Sequence, residues 1–487
     1  MPRKRDSLMT TECSETCFPF HSLNQREVRG NFDGGTITSD GGGLLLREVE
    51  KKTKIIEQFA ACFTDFRNPE LVEHTVAELV GQRVYGLALG YEDLNDHDEL
   101  RRDPLLAVLV EKEDLTGENR RHAADRGAAL AGKSTLNRME LGGAKLGEKE
   151  RYRKIILNDA AVDRLLVDMF LQAHGEAPPE IVLDLDSTDI PLHGEQEERF
   201  FHGYYGHYCY LPLYIVCGES VLCARLRPSN IDGAKGTVSE VERMVGQIRG
   251  RWPQVRIILR GDSGFCREEL LTWCEQHEVD YVFGIAQNAV LLRTITAAAA
   301  EAAAQYEQTG KAARVFTAFE YRTKESWSRA RRVIAKAEHL EKGPNPRFVV
   351  TSLSGQEAVF PAPSRWTPRS LYEEFYCARG DMENRIKEQM MLFADRTSTS
   401  YMRSNQIRLY FSTMAYQLMQ ALRRWGLAGT ELAKAQCHRI RLKLLKIGAQ
   451  VRITVRKVWI ELSAGYPFME LFCQVHRQLQ QAAPLRC

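Results

Sequence analysis

No run of this 487-residue chain is long or apolar enough to span a bilayer. Its start carries no apolar signal region, and its 12 cysteines are scattered, so a secreted disulfide framework is not expected. A soluble cytoplasmic protein in a reducing compartment is the expectation. Cys13, Cys17 and His21 are spaced like part of a metal knuckle, but no fourth ligand follows nearby, and unpaired tail residues are the better reading. A net charge of one sign is also missing. Lys and Arg total 66 against 64 Asp and Glu, a formal balance of +2, so bulk charge gives no warrant for a nucleic-acid partner. One absence is local and points the other way. After Arg403 the only acids are Glu431, Glu461 and Glu470, while Arg439, Arg441, Lys443 and Lys446 stand among many further cations. Such a segment can neutralise backbone phosphates, and those four residues are candidate DNA contacts. A solvated helical face is the competing reading.

Hydrophobic periodicity divides the chain. Residues 1–30 read as a flexible polar tail carrying Arg3-Lys4-Arg5. Residues 31–178 show apolar positions every three to four residues, as in a helical N-terminal domain able to bind DNA. From Glu180 the pattern changes to strands alternating with helices, which suggests an α/β domain built round a mixed sheet over 179–400. Within it, 289–365 reads as an inserted β-rich subdomain, because structureless loops of that length are rare. Residues 401–487 read as a basic helical C-terminal region.

Three segments offer a carboxylate in a setting that suits metal-dependent phosphodiester chemistry. Ile181–Thr188 and Val255–Phe265 are β-branched and Leu-rich runs ending in Asp at a turn, where a buried strand delivers a side chain to a sheet edge. Asp186 is preferred over Asp184, and both over Asp189, because it lies nearest the strand's end on the same face as Asp184. Gly261 and Gly264 around Asp262 permit a sharp turn and close approach of a phosphate. The third segment reads as a helix opened by Pro368, on which Tyr376, Arg379, Glu383, Lys387 and Met390 fall within roughly 40° of one line. Arg379 and Lys387 flank Glu383 by one turn on either side, which favours an ionised carboxylate and brings cations to a bound phosphate. Asp381 and Glu388 lie well round the helix. Taken alone this segment is an ordinary salt-bridged surface helix; the two strand-end aspartates change that reading.

At these residues the chain resembles the DDE transposases of bacterial insertion sequences. Asp186-Ser187-Thr188 matches the first motif, Arg260–Phe265 the second, and Tyr376, Arg379 and Glu383 the tyrosine–arginine–glutamate signature. Phe32–Leu46, Gly90–Asp96, Leu100–Pro104 and Leu442–Gly448 are similar to segments of the thirteen-eighty group, so the likeness runs nearly the full length. The wider signature has a lysine seven residues after the glutamate. Here that position is Met390, which leaves Lys387 as a substitute by helical geometry. The resemblance implies an RNase H-like catalytic core, with Asp186, Asp262 and Glu383 holding two Mg²⁺ ions for which Mn²⁺ can substitute. It further implies double-stranded DNA partners (terminal repeats and target), a homodimer in the DNA complex, no ATP, no membrane, and a bacterial, nucleoid-associated location.

Two rivals remain. Gly127–Ser134 fits the P-loop pattern, which would make the protein an ATPase, but Arg121–Arg126 is not the buried strand a P-loop requires. A DNA-binding regulator without catalysis would explain the basic region but not three acids. His202, His207 and Cys209 suggest a zinc site less well than they suit a half-buried aromatic strand. Trp327, between basic residues, is a candidate for stacking on an unpaired base, with burial the equal alternative.

Overall fold

The computed structural model describes residues 17–141, 154–354 and 365–482. Nine strands form one mixed sheet: β1 (Glu180–Ser187), β2 (Leu213–Cys217), β3 (Ser220–Arg225), β4 (Arg256–Gly261), β5 (Asp280–Ile285), β6 (Ala313–Tyr321), β7 (Arg331–Leu340), β8 (Gly343–Pro344) and β9 (Arg347–Thr351). Their order is β3-β2-β1-β4-β5-β9-β7-β6, with β8 paired to β7. β1, β4 and β5 run parallel, and Arg260 stands opposite Asp184. Parallel central strands need covering on both faces, which explains the near-continuous apolar run Ile257-Ile258-Leu259, fully buried here. The parallel pairing also puts the C-terminal ends of β1 and β4 on one edge.

The mixed α/β sheet follows the expectation, but the described strands between 289 and 354 do not form a subdomain apart. β9 pairs with β5, Val282 opposite Thr351 and Phe283 opposite Val350, so the later strands extend the same sheet. Val333, Ala335, Phe348 and Val350 share one apolar core with Leu183, Leu185, Ile257 and Leu259. Burial on both sides of β9 makes that extension favourable.

The helices show a second departure. α1 (Val76–Leu89), opened by a Thr75–Glu78 capping box, packs with the 25-residue α4 (Met402–Gly426) in one core that joins N-terminal and C-terminal regions. α2 (Asp159–Ala173) and α3 (Gly380–Met390) complete the frame used below. Glu140, with no exposed surface, is held by Arg83 and Arg408, each at 2.7 Å. The C-terminal region is not wholly helical either: β10 (Ala449–Ile453) and β11 (Val458–Leu462) form an antiparallel ribbon. Part of the expected tail is also structured, since Phe18–Leu23 and Arg26–Gly30 pair as an exposed hairpin. Cys13 and residues 1–16 lie outside the described residues. Among the described residues no helix is long and apolar enough to cross a membrane.

Two buried histidines make this frame sensitive to acid. His97 is fully buried, and its Nδ1 accepts from Gln82 Nε2 at 3.1 Å. Burial, with Arg83 nearby, drives its pKa down to about 3; burial, with Lys112, Arg120 and Arg67, does the same for His74. Because the folded pKa lies below the unfolded value, the stabilisation is complete above about pH 6.5 and is lost as pH falls towards 3. Resistance to denaturant should therefore fall steadily below pH 6.5. His97→Gln should reduce the acid slope by about one proton, ~1.4 kcal/mol per pH unit. An unchanged slope in that variant would contradict the assignment.

Candidate active site at the strand ends

Asp184 and Asp186 point to the same side of β1, and their surroundings separate their roles. Arg260 donates from Nε and Nη2 to the two Asp184 oxygens at 2.5 and 2.8 Å, and from Nη1 to the Phe375 carbonyl. Asp184 is 5% exposed and fully engaged. Asp186, two residues nearer the edge, accepts from the Ser187 amide at 2.9 Å and keeps its other oxygen towards the site. Arg227 donates to Ser187 Oγ at 2.8 Å and so steadies this strand end. Asp262 follows β4 directly and accepts from the Gly264 amide at 2.8 Å. A Cβ at position 264 would lie 2.9 Å from that Asp262 oxygen, so any larger residue there would push the carboxylate aside.

The third segment is not the uniform α-helix that the spacing predicts. Pro368–Ser370 is followed by a π-helical turn over Leu371–Tyr376, a 3₁₀ turn over Cys377–Arg379, and only then by α3. The single line of side chains from Tyr376 to Met390 is broken, because each change of turn shifts the angular register. Tyr376 is carried instead to β5, where a Cβ on Gly284 would stand 2.7 Å from its hydroxyl oxygen and 3.0 Å from Ser263 N. Arg379 reaches both other pieces: Nη1 is 3.6 Å from Asp186 Oδ2, and Nη2 is 3.9 Å from Glu383 Oε1. Glu383 and Lys387 are exposed one turn apart on α3, whereas Met390 packs against the helical core. Glu388 is buried and bonded to Arg423 at 2.6 Å, in keeping with its place away from the site.

Asp186 feels the charge of the other two acids. Burial raises the Asp186 pKa to about 6; Arg379 opposes the rise, and Asp262 and Glu383 add to it. Arg379 thus offsets repulsion among carboxylates that the fold has brought together. Among the described residues no three His, Cys, Asp or Glu side chains stand close enough to enclose a metal ion as arranged. The donor chemistry nonetheless fits a hard divalent cation, since all three groups are carboxylates and one is held at a raised pKa by burial and its neighbours' charge.

The remaining candidates separate by burial. Trp327 is 5% exposed and lies under Arg331, 5.3 Å from its ring, so the sheet's core takes it and no face is left for a base. Arg441 donates to the carbonyls of Ala88, Leu87 and Met391, and Lys446 pairs with Asp40 at 2.6 Å above the Tyr91 ring. Lys443 pairs with Glu431 at 3.3 Å; Arg439 is exposed. Arg441 and Lys446 thus join the C-terminal region to the N-terminal one. In the P-loop-like stretch, Ala128–Ala131 is buried without forming a strand, and Lys133 binds Asp98 at 3.1 Å and Asn95 at 3.0 Å. His207 Nε2 donates to Asp189 Oδ2 at 2.7 Å, and Cys209 is buried.

The roles of three residues of this site escaped the sequence reading: Arg260, Gly284 and Arg227. Arg260 had a visible signal, a charge inside an apolar strand, which needs a buried partner. Gly284 had another, a glycine inside Phe283-Gly284-Ile285, which marks close backbone approach.

A family model described as transposase DDE domain group 1 matches residues 20–484. No curated protein matches the sequence significantly. Among solved structures, the chain is similar to a piggyBac transposase in its synaptic complex with hairpin DNA. The two are 11% identical, the match covers 92% of this chain and 83% of that one, and the TM-score is 0.40.

The close approach at Gly284 is open to test. Gly284→Ala should destabilise the protein by about 1–3 kcal/mol through overpacking. Tyr376→Phe, which removes the nearest atom, should recover part of that loss. Strictly additive effects in the double variant would show that the two positions do not touch.

Proposed function

This chain belongs to the transposase DDE domain group 1 family, and from that premise we propose that it cuts DNA at the ends of an insertion sequence of the thirteen-eighty group and joins them to target DNA. The observation that supports the reading is Arg379 lying 3.6 Å from Asp186 and 3.9 Å from Glu383, with Asp262 at the end of the neighbouring parallel strand. In this reading the substrate is a phosphodiester of double-stranded DNA, and the protein acts as a homodimer on transposon ends. Water attacks phosphorus, the bond from phosphorus to the 3′ oxygen breaks, and a 3′-hydroxyl is left. That hydroxyl then attacks a target phosphodiester, forming one P–O bond as another breaks, so no nucleotide cofactor is consumed.

Asp186, Asp262 and Glu383 would hold two Mg²⁺ ions, or Mn²⁺ in their place, which when bound activate the attacking oxygen and stabilise the leaving one. The chain's own groups do the rest. Arg379 balances the acids' charge and offers a planar cation beside the phosphate. Tyr376, seated against Gly284 and the Asp262 turn, positions that turn. Lys387, exposed one turn beyond Glu383, supplies a second cation to the DNA backbone. Lys133, bound to Asp98 and Asn95, supports no nucleotide-binding role.

Asp186→Asn, Asp262→Asn and Glu383→Gln should each reduce Mg²⁺-dependent cleavage of end-containing duplex on the order of 10³-fold, ~4 kcal/mol of transition-state stabilisation, with little change in DNA affinity. Asp184→Asn should instead lower stability, because it strands Arg260 in the core. Lys133→Ala should cleave without ATP. Cleavage at the parental rate by Asp262→Asn would refute the assignment, as would ATP turnover that Lys133→Ala abolishes.

A further inference from the structure

The β10–β11 ribbon is anchored at one end and bare at the other. Ala449 and Gln450 pair with Thr38 and Ile37, and Ala449 and Val451 are buried. Beyond Val451 the packing stops: every residue from Arg452 to Trp459 is exposed, including Val455 at the turn and Trp459 at 44%. The distal half has neither the third strand nor a covering helix, and a two-stranded ribbon of that kind is marginal in water. That half nevertheless exposes apolar side chains on both faces, Ile453 and Val458 on one and Trp459 on the other, with Val455 at the turn.

Its charge indicates what would cover it. No acid occurs between Glu431 and Glu461, while Arg452, Arg456 and Lys457 all lie on the distal half. Arg452 stands opposite Trp459 in register, and the guanidinium of Arg452 and the ammonium of Lys457 lie 5.7 and 5.3 Å from the Trp459 ring. Glu461, 3.1 Å from Arg452, is the one carboxylate on the two strands. A second copy of the same surface would set cation against cation across a two-fold axis, which disfavours self-association. A polyanion suits it. The major groove of B-form DNA, about 12 Å wide, admits a two-stranded ribbon.

We propose that the distal half of this ribbon, Arg452 to Trp459, is a docking arm that enters the major groove of duplex DNA. Arg452, Arg456 and Lys457 meet backbone phosphates, and Trp459 and Val455 lie against base edges. The arm rests on the reading of DNA as the substrate and adds a binding surface remote in sequence from the three acids. It also replaces Arg441, Lys443 and Lys446 as the source of exposed positive charge near the C-terminus, since those three are engaged within the protein.

The test is a salt titration of duplex binding by the full chain in EDTA, which uncouples binding from cleavage. Replacing Arg452, Arg456 and Lys457 together by alanine should reduce the log–log salt slope by about 2–3, near 0.9 for each phosphate no longer neutralised. Trp459→Ala should weaken binding roughly tenfold with the slope retained. Dimethyl sulfate footprinting should show guanine N7 protection by the parental protein and its disappearance in the triple variant. An unchanged slope overturns the arm, as does adenine N3 protection in place of N7. A shift of the triple variant towards monomer in sedimentation, with the slope intact, would assign the ribbon to a second copy and also overturn it. If the parental protein cleaves DNA while the slope stays unchanged, the arm alone fails. If the slope falls as expected but Asp262→Asn still cleaves, only the catalytic reading fails.

Discussion

The pairing of Arg260 with Asp184 fixes the geometry on which the rest of the site depends. It is bidentate, nearly dry, and reaches a third element through the Phe375 carbonyl. Breaking one side of such a pair leaves an uncompensated buried charge, at a cost of about 3–5 kcal/mol. The position of the pair matters more than its energy. Asp186 lies two residues beyond Asp184, Asp262 two beyond Arg260, and Tyr376 one beyond Phe375. One guanidinium therefore sets the register of both strands and of the segment leading to Glu383. A site that must place three carboxylates from distant parts of the chain needs such a reference, because a slip of one residue in either strand turns its acid to the opposite face.

Registration brings like charges together, and the structure carries the consequence at Asp186. Its pKa of about 6 is the result of burial and of Asp262 and Glu383, with Arg379 pulling the other way. A carboxylate raised above its unfolded value favours the native state while it is protonated; that contribution is lost as pH rises through about 6. At neutral pH the site is thus held together by the surrounding fold rather than contributing to it. Strain of this kind is expected where function demands an arrangement that stability alone would not choose.

What could be read from the sequence follows from how local each cause is. Asp186 and Asp262 were legible because an apolar β-branched run ending in Asp at a turn is a local signal, and the strands lie where periodicity put them. The helix with Glu383 was legible as a helix, but not its π and 3₁₀ turns, which have no sequence signature of their own. The strands of 289–365 were visible; their joining of the main sheet was not, since it rests on pairing between β5 and β9, some seventy residues apart. Trp327 shows the same limit, because its neighbours in sequence are basic while it shares a buried apolar core with Leu271 and Val333. The ribbon was missed although Val451, Ile453, Val458 and Ile460 alternate as strands require. The surrounding cations drew the reading towards a basic helix.

Counting cations along a chain does not reveal which of them are available. Arg441 bonds three carbonyls, Arg423 neutralises Glu388, and Lys446 neutralises Asp40, whose other oxygen accepts from Tyr91 at 2.6 Å. Arg441 and Lys446 join elements far apart in sequence, and the Arg423–Glu388 pair fixes α3 to the next helix, α4. Positive charge in this region therefore has two uses. Where it is partly buried it braces the helix that presents Glu383; where it is exposed, on the ribbon, it is free of that task. The same local composition serves both, and only the three-dimensional arrangement assigns each residue to one or the other.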